Sequence, residues 1–268
     1  MSANFTSERA GETTLTTPSI SRREALRLTI GALNGAVLLG CIPTVEANDQ
    51  RGGSPRLTAR PGVPDLTIAP GRQTFSVSGS TAVIHVPQNY QPTTPSPLVV
   101  FLHGALRTVD TFMTGHAPIS EDTGAIVLMP LSTVGTWDAI NGDFGPDVAI
   151  INGALDWVFH RCNIDAGKIV LSGFSDGGTY VIALGRANGD LFSRIVAYSP
   201  GFLIDVTRTG RAPFLITHGT QDTVLPIDAT SRRIVPALRS AGYTVDYREF
   251  TGGHAVPLSI VREMMEAL

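Results

Sequence analysis

The sequence predicts an α/β fold, a mostly parallel sheet flanked by helices, in a single domain over residues 71–268. Three observations carry that expectation. Short apolar runs recur along this stretch, helix-favouring segments alternate with them, and one Gly-x-Ser-x-Gly segment sits where a strand passes into a helix. A chain of 268 residues, 43% hydrophobic and 16% charged, is long enough to bury one large core.

The elements follow in order. Gln73–Val77 and Thr81–Val86 read as strands joined by Ser78-Gly79-Ser80, a hairpin. Leu98–Leu102 is a continuous apolar run suited to a strand buried on both faces. Ala125–Met129 reads as a strand. Pro146–Arg161 reads as a helix, with Val148, Ile151, Leu155 and Val158 on one face. Lys168–Leu171 is the strand before the motif, and Thr179–Leu184 the helix after it. Strands are expected at Ile195–Tyr198, Phe214–Thr217 and Thr244–Phe250. A helix is expected from an Asp228 N-cap to Ala241, with Pro236 kinking or splitting it, and a closing helix over Ala255–Leu268. Only a short loop separates the strands at Ser199 and Ala212, which leaves no room for a large lid domain.

Gly173-Phe174-Ser175-Asp176-Gly177 in that strand–helix context is a nucleophile elbow. A serine at so sharp a turn needs small residues two before and two after it, which Gly173 and Gly177 supply. The helix that follows points its N–H groups at any oxyanion formed there. Serine needs a base, and the base an orienting acid. In this chain order, with the acid after a later strand and the base after the last, the candidates are Asp222 and His254. Asp205 and Asp228 are the reserve acids. His103 and His218 read as bracing residues, while His85 falls in a strand, His116 in a loop and His160 near a helix end. The oxyanion donors are expected to be the backbone N–H of Asp176 and that of Ala105, with Leu106 the neighbouring choice. The Asp176 side chain is expected to point away. Trp137, Phe202 and Val256, with Leu106, are the candidate substrate-binding residues; packing is the competing role for Trp137.

Leu102-His103-Gly104, Gly173–Gly178, Ser199-Pro200-Gly201-Phe202, His218–Asp222 and Gly253-His254 together resemble the α/β-hydrolase superfamily. Within it the chain is similar to the phospholipase/carboxylesterase branch and to exported esterases of the polyhydroxybutyrate-depolymerase and feruloyl-esterase type. Asp147–Asp156 and Cys162–Asp165 resemble the second group. The resemblance implies an α/β-hydrolase fold and a serine carboxylesterase with Ser175 as nucleophile, Asp222 as acid and His254 as base. The short loop from Ser199 to Ala212 would leave a fairly open site, which favours soluble short-acyl esters or an accessible polymer, and acyl transfer on such a triad needs no metal or cofactor. Feruloyl-type or polyester hydrolysis is the alternative on the same triad; a serine peptidase and a non-catalytic cell-surface binding protein are the further ones. Two departures bear on the substrate: Asp176 stands where carboxylesterases often have Gln, and a disulfide-rich pattern is missing.

The N-terminal stretch carries a different message. Ser21-Arg22-Arg23 precedes a short apolar run from Leu28 to Gly40, resembling a Tat export signal over residues 1–41. Leu38-Leu39-Gly40-Cys41 resembles a lipobox, in which Cys41 would be lipidated, and Val45-Glu46-Ala47 is the competing processing site. An amphipathic surface helix is the plainer alternative. Residues 42–70, rich in Pro, Gly and Arg, read as a linker or arm. The expected location is the periplasm, the medium or the cell envelope, with membrane attachment only through Cys41. A net charge of −3 offers no basic field for nucleic acid. Cys162, the other cysteine, reads as a small buried hydrophobe.

Overall fold

The structure is a computed structural model that describes residues 14–15 and 53–268; Arg22, Arg23 and Cys41 of the expected export signal lie outside them. Eight strands form one sheet: β1 Gly71–Val77, β2 Ser80–Val86, β3 Ser96–Leu102, β4 Ile126–Pro130, β5 Ile164–Phe174, β6 Arg194–Tyr198, β7 Phe214–Gly219 and β8 Val245–Phe250. Their spatial order is β1-β2-β4-β3-β5-β6-β7-β8. The first two strands are antiparallel, β2 pairs antiparallel to β4, and every pairing from β4 to β8 is parallel. A two-residue ladder of Thr14–Leu15 against Val256–Pro257 lies outside this sheet. The β1–β2 turn places Ser78 at φ 46° and Gly79 at φ 80°, the pair of positive dihedrals a two-residue hairpin needs.

The helices are α1 Val109–Thr123, α2 Asp138–Asn141, α3 Pro146–Phe159, α4 Asp176–Ala187, α5 Ser231–Ser240 and α6 Leu258–Glu266. They cover both faces of the sheet. In β3, Leu98, Val100 and Leu102 face the layer of α3, α4 and α5, while Val99 and Phe101 face that of α1 and α6. This strand is buried on both sides, which is why it reads as an unbroken apolar run.

Three expectations are corrected. His116 lies in helix α1 rather than in a loop. Val109, Phe112, Met113 and His116 bury one face there, and that packing overrides a sequence containing Gly115 and Pro118. Asp228 does not cap a helix. It lies in a 3-10 turn, Ile227–Ala229, and pairs with Arg232 at 2.7 Å, while α5 begins at Ser231 and runs unbroken through Pro236. The closing helix begins only at Leu258.

The segment 53–70 has no regular structure but is fastened to the domain. Leu57 is buried, and its N–H donates to Asn188 Oδ1 at 2.8 Å. The N–H groups of Thr58 and Ala59 share Asn152 Oδ1, and Arg56 pairs with Asp190 at 2.8 Å. Cys162 is free and fully buried, and burial pushes its thiol up to about 12. Among the described residues no helix is long and apolar enough to cross a membrane, and no His, Cys, Asp and Glu side chains cluster as metal ligands would.

Candidate active site

Ser175 stands between the C-terminal end of β5 and the first residue of α4, at φ 58° and ψ −117°. Such a conformation is costly for a non-glycine residue and persists only where the surroundings enforce it. The enforcement is visible in the two glycines. A Cβ on Gly177 would lie 2.2 Å from the Leu102 carbonyl oxygen, and one on Gly173 would lie 2.5 Å from the Gly177 oxygen. The elbow can therefore press against the end of β3 only if both positions lack side chains. The N–H of Ser175 itself is spent on the Tyr198 carbonyl at 2.9 Å.

Ser175 Oγ donates to His254 Nε2 at 2.9 Å, and His254 Nδ1 donates to Asp222 Oδ2 at 2.6 Å. All three predicted residues thus meet, from the ends of β5, β7 and β8. The loops carrying Asp222 and His254 are laced together: Gln221 N–H donates to the Gly252 carbonyl, and a Cβ on Gly219 would lie 2.3 Å from the Gly253 oxygen. The His254 ring packs at a tilt against Phe174, 4.6 Å between centroids. Burial would raise the Asp222 carboxyl, but hydrogen bonds from His218 and His254 outweigh it and hold the group well below the usual carboxylate range. Its Oδ1 also accepts the N–H groups of Val224 and Leu225 at 2.9 and 2.8 Å. Asp222 is thus a fixed anion that can orient an imidazole and stabilise its charged form.

His218 braces this acid. It is fully buried at the end of β7, with Nε2 within 2.8 Å of the Leu225 carbonyl and 3.2 Å of Asp222 Oδ2, while Nδ1 meets Ser231 Oγ at 2.7 Å. His103 braces the other side. Its Nδ1 lies 2.6 Å from the Gly104 carbonyl, and its Nε2 accepts the Ser132 N–H at 3.1 Å.

Ala105 follows Gly104, whose Cβ, if present, would lie 3.2 Å from the Ser175 Cβ. The Leu106 N–H is taken by the Gly135 carbonyl at 2.9 Å, which removes the neighbouring choice of oxyanion donor. The Asp176 carboxylate is bonded by Thr136 Oγ1 at 2.6 Å, and its pKa is raised, chiefly by burial. Of the four candidate substrate-binding residues, Leu106 and Phe202 are exposed. Trp137 and Val256 are not; both are completely buried, and the Trp137 indole donates to the His103 carbonyl at 2.8 Å and packs at a tilt against the His103 and Tyr180 rings. They are packing residues and line no open pocket.

Several supports were missed in the sequence: Phe174 under the imidazole, Thr136 and Ser132 near the β3 turn, and Asp138 with Asp147. Phe174 was visible as the variable residue of the motif, whereas the others carry no local signal.

Solved structures share this fold. An acetyl xylan esterase from Aspergillus awamori aligns with a TM-score of 0.56 at 19% identity, covering 73% of this chain and 98% of that one. The fold is the α/β-hydrolase fold. Within it, residues 149–268 match the phospholipase/carboxylesterase family. A feruloyl esterase C from Emericella nidulans is 30% identical over 161 residues, 57% of this chain and 58% of that protein. A bifunctional acetylxylan esterase/xylanase from Neocallimastix patriciarum is 29% identical over 156 residues, 55% of this chain and 22% of that protein. The chain therefore spans between about a fifth and three fifths of the length of these curated relatives. Residues 199–213, between β6 and β7, contain no helix.

Proposed function

We propose that the protein is a serine carboxylesterase that hydrolyses carboxylic esters through an acyl-enzyme on Ser175. The observation that carries this reading is the continuous Ser175–His254–Asp222 hydrogen-bond chain on an elbow at the head of α4. Ser175 Oγ attacks the ester carbonyl carbon as its proton passes to His254 Nε2. The oxyanion so formed is held by the backbone N–H groups of Ala105 and Asp176. The carbon–alkoxy bond then breaks, and the leaving alcohol takes the proton from His254. Water repeats the sequence on the acyl-enzyme, giving its proton to His254 and releasing the acid and free Ser175. The similarity to feruloyl and acetylxylan esterases supports the same chemistry.

The surroundings bear on the substrate. Leu106 and Val134, exposed on the loops after β3 and β4, stand on one side of β5 in the sheet order, and Phe202 and Val224, exposed after β6 and β7, stand on the other. Exposed apolar side chains on both sides of β5, with no helix in residues 199–213, suit a soluble apolar ester or an accessible polymer. This favours short-acyl esters first and polyester or feruloyl-type esters second. The test is a p-nitrophenyl ester series of increasing acyl length on wild type and Ser175→Ala. Turnover of short chains, abolished in the variant, is expected. Activity surviving Ser175→Ala would overturn the mechanism, and inactivity on every ester would overturn the esterase.

The Arg22-Arg23 pair and the apolar run behind it support export, with residues 71–268 as the catalytic domain. Loss of export in Arg22→Lys/Arg23→Lys, and labelled palmitate incorporated in wild type but not in Cys41→Ser, are the results expected of a Tat substrate with a lipid anchor. Export without incorporation would leave a free protein.

A further inference from the structure

The two proposed oxyanion donors belong to different elements, Ala105 to the turn after β3 and Asp176 to the start of α4. One loop, residues 131–137 between β4 and α2, touches the surroundings of both. Its Trp137 indole N–H donates to the His103 carbonyl at 2.8 Å, and its Ser132 N–H donates to His103 Nε2 at 3.1 Å. Its Gly135 carbonyl accepts the Leu106 N–H at 2.9 Å, and its Thr136 hydroxyl donates to Asp176 Oδ2 at 2.6 Å. Ala105 is therefore pinned through the residues around it, and Asp176 is pinned directly. Leu106 sits at φ 71° and ψ 5°, a left-handed conformation that a leucine adopts only under constraint, and the bond to Gly135 supplies one.

We propose that loop 131–137 is the clamp that sets the oxyanion hole, with Thr136 and Trp137 as positioning residues that act through Asp176 and the Ala105 turn. The proposal rests on the acyl-transfer reading above. Oxyanion donors are effective because they are aimed before charge develops, so a shift of a fraction of an ångström in either one is felt in the rate. Thr136 has a second task. Asp176 places a carboxylate beside the position where negative charge builds, which would oppose catalysis if it turned inward. The Thr136 hydroxyl holds that carboxylate on the loop side, leaving only the backbone N–H of residue 176 to act. Trp137 does the corresponding work on the other donor: its ring packs between His103 and Tyr180 while its N–H fixes the carbonyl two residues before Ala105.

The experiment compares Thr136→Val, Thr136→Ser and Trp137→Phe with wild type in two assays. One is kcat and KM on p-nitrophenyl acetate; the other is the rate at which a fluorophosphonate probe modifies Ser175. Thr136→Val and Trp137→Phe are expected to lower kcat by about tenfold to a hundredfold with KM nearly unchanged, and to slow phosphonylation in parallel. Thr136→Ser, which keeps the hydroxyl, should recover most of the loss. Thr136 is half-buried at a loop position, so its variants carry the test even if Trp137→Phe loosens the fold. Wild-type kcat and labelling in Thr136→Val would overturn the clamp, as would a KM effect at constant kcat or a defect that serine does not rescue. A wild type that is phosphonylated but hydrolyses no ester would defeat the esterase reading alone, because the labelling rates still decide the clamp. A wild type that is not phosphonylated at all defeats both.

Discussion

The elbow and the loop 131–147 flank the same reaction centre, but they are held by different physics. At the elbow the constraint is local and steric: Ser175 takes its dihedrals because Gly173 and Gly177 let three backbones meet where no Cβ fits. In the loop the constraint is long-range and electrostatic. Asp147 is fully buried; its Oδ1 accepts the Thr133 N–H and its Oδ2 that of Asp138, both at 2.8 Å. Asp138 Oδ2 in turn accepts the N–H of Asp147 at 2.9 Å, and Asp138 Oδ1 accepts the Tyr180 hydroxyl at 3.0 Å. Two carboxylates capping each other's backbones thus shape a loop that has little regular structure of its own. The comparison teaches that one half of the site is specified by what is missing from the sequence, side chains at two positions, and the other by acceptors placed far from what they hold.

The largest break expected falls on the acid shared by neither half. Asp222→Asn keeps the size of the group but cannot accept from His254 and the two loop amides while also stabilising an imidazolium. A loss of about a thousandfold to ten-thousandfold in kcat is expected, with little change in KM, measured on a short-chain ester. An effect below tenfold would mean that another carboxylate serves.

Gly177→Ala breaks the steric half. Its Cβ would meet the Leu102 oxygen at 2.2 Å, a backbone atom that cannot swing aside as a side-chain tip would. The expected destabilisation is about 3–5 kcal/mol, the range of strained core substitutions, read from urea unfolding of the purified protein. Near-wild-type stability would show that the β3 end can yield, and the elbow would then be less strictly set than its geometry implies.

Legibility followed the same division. The elbow and the meeting of Ser175, Asp222 and His254 were readable because strand–turn–glycine patterns are local and because chain order places the loops at one end of the sheet. The donors around Thr136 and Asp147 were not readable, since nothing near Asp147 marks it as an acceptor for Thr133. Trp137 stayed open for that reason: a tryptophan after a strand end fits a pocket wall or a packing residue equally, and only its bond to His103 reveals a brace. Helix α1 is a different kind of miss. Val109, Phe112, Met113 and His116 do recur at helical spacing, but Gly115, Pro118 and several threonines lower the propensity that would have supported the pattern.

His116 in that helix tests how far tertiary burial can override local chemistry. Its Nδ1 donates to the Phe112 carbonyl at 2.8 Å, its ring packs against Phe101, and it has no exposed surface. Burial lowers its pKa from the usual 6.5 to about 4. The folded state therefore holds the neutral ring where the unfolded chain takes up a proton. Stability from this group is complete above pH 6.5 and is lost as pH falls toward 4, by about 3 kcal/mol over that window. Replacing the ring in His116→Phe should flatten this part of the acid limb in unfolding measured at stepped pH. An unchanged slope would assign the limb to other groups.

Asp147→Asn is the smallest of these breaks and the one that bears most directly on the contrast between the halves. An amide at this position offers one acceptor where two N–H groups converge, and turns its own N–H₂ toward the other. The cost of a single mismatched buried hydrogen bond is about 1–3 kcal/mol of stability. The loop, once loosened at Thr133 or Asp138, should no longer hold Trp137 and Thr136 in place, while Ser175, His254 and Asp222 keep their mutual hydrogen bonds, none of which runs through it. The expected signature is therefore a modest fall in unfolding free energy together with a kcat that drops by more than the folded fraction can explain. If kcat follows only the folded fraction, the loop is scaffolding, and steric constraint at the elbow suffices to set both donors.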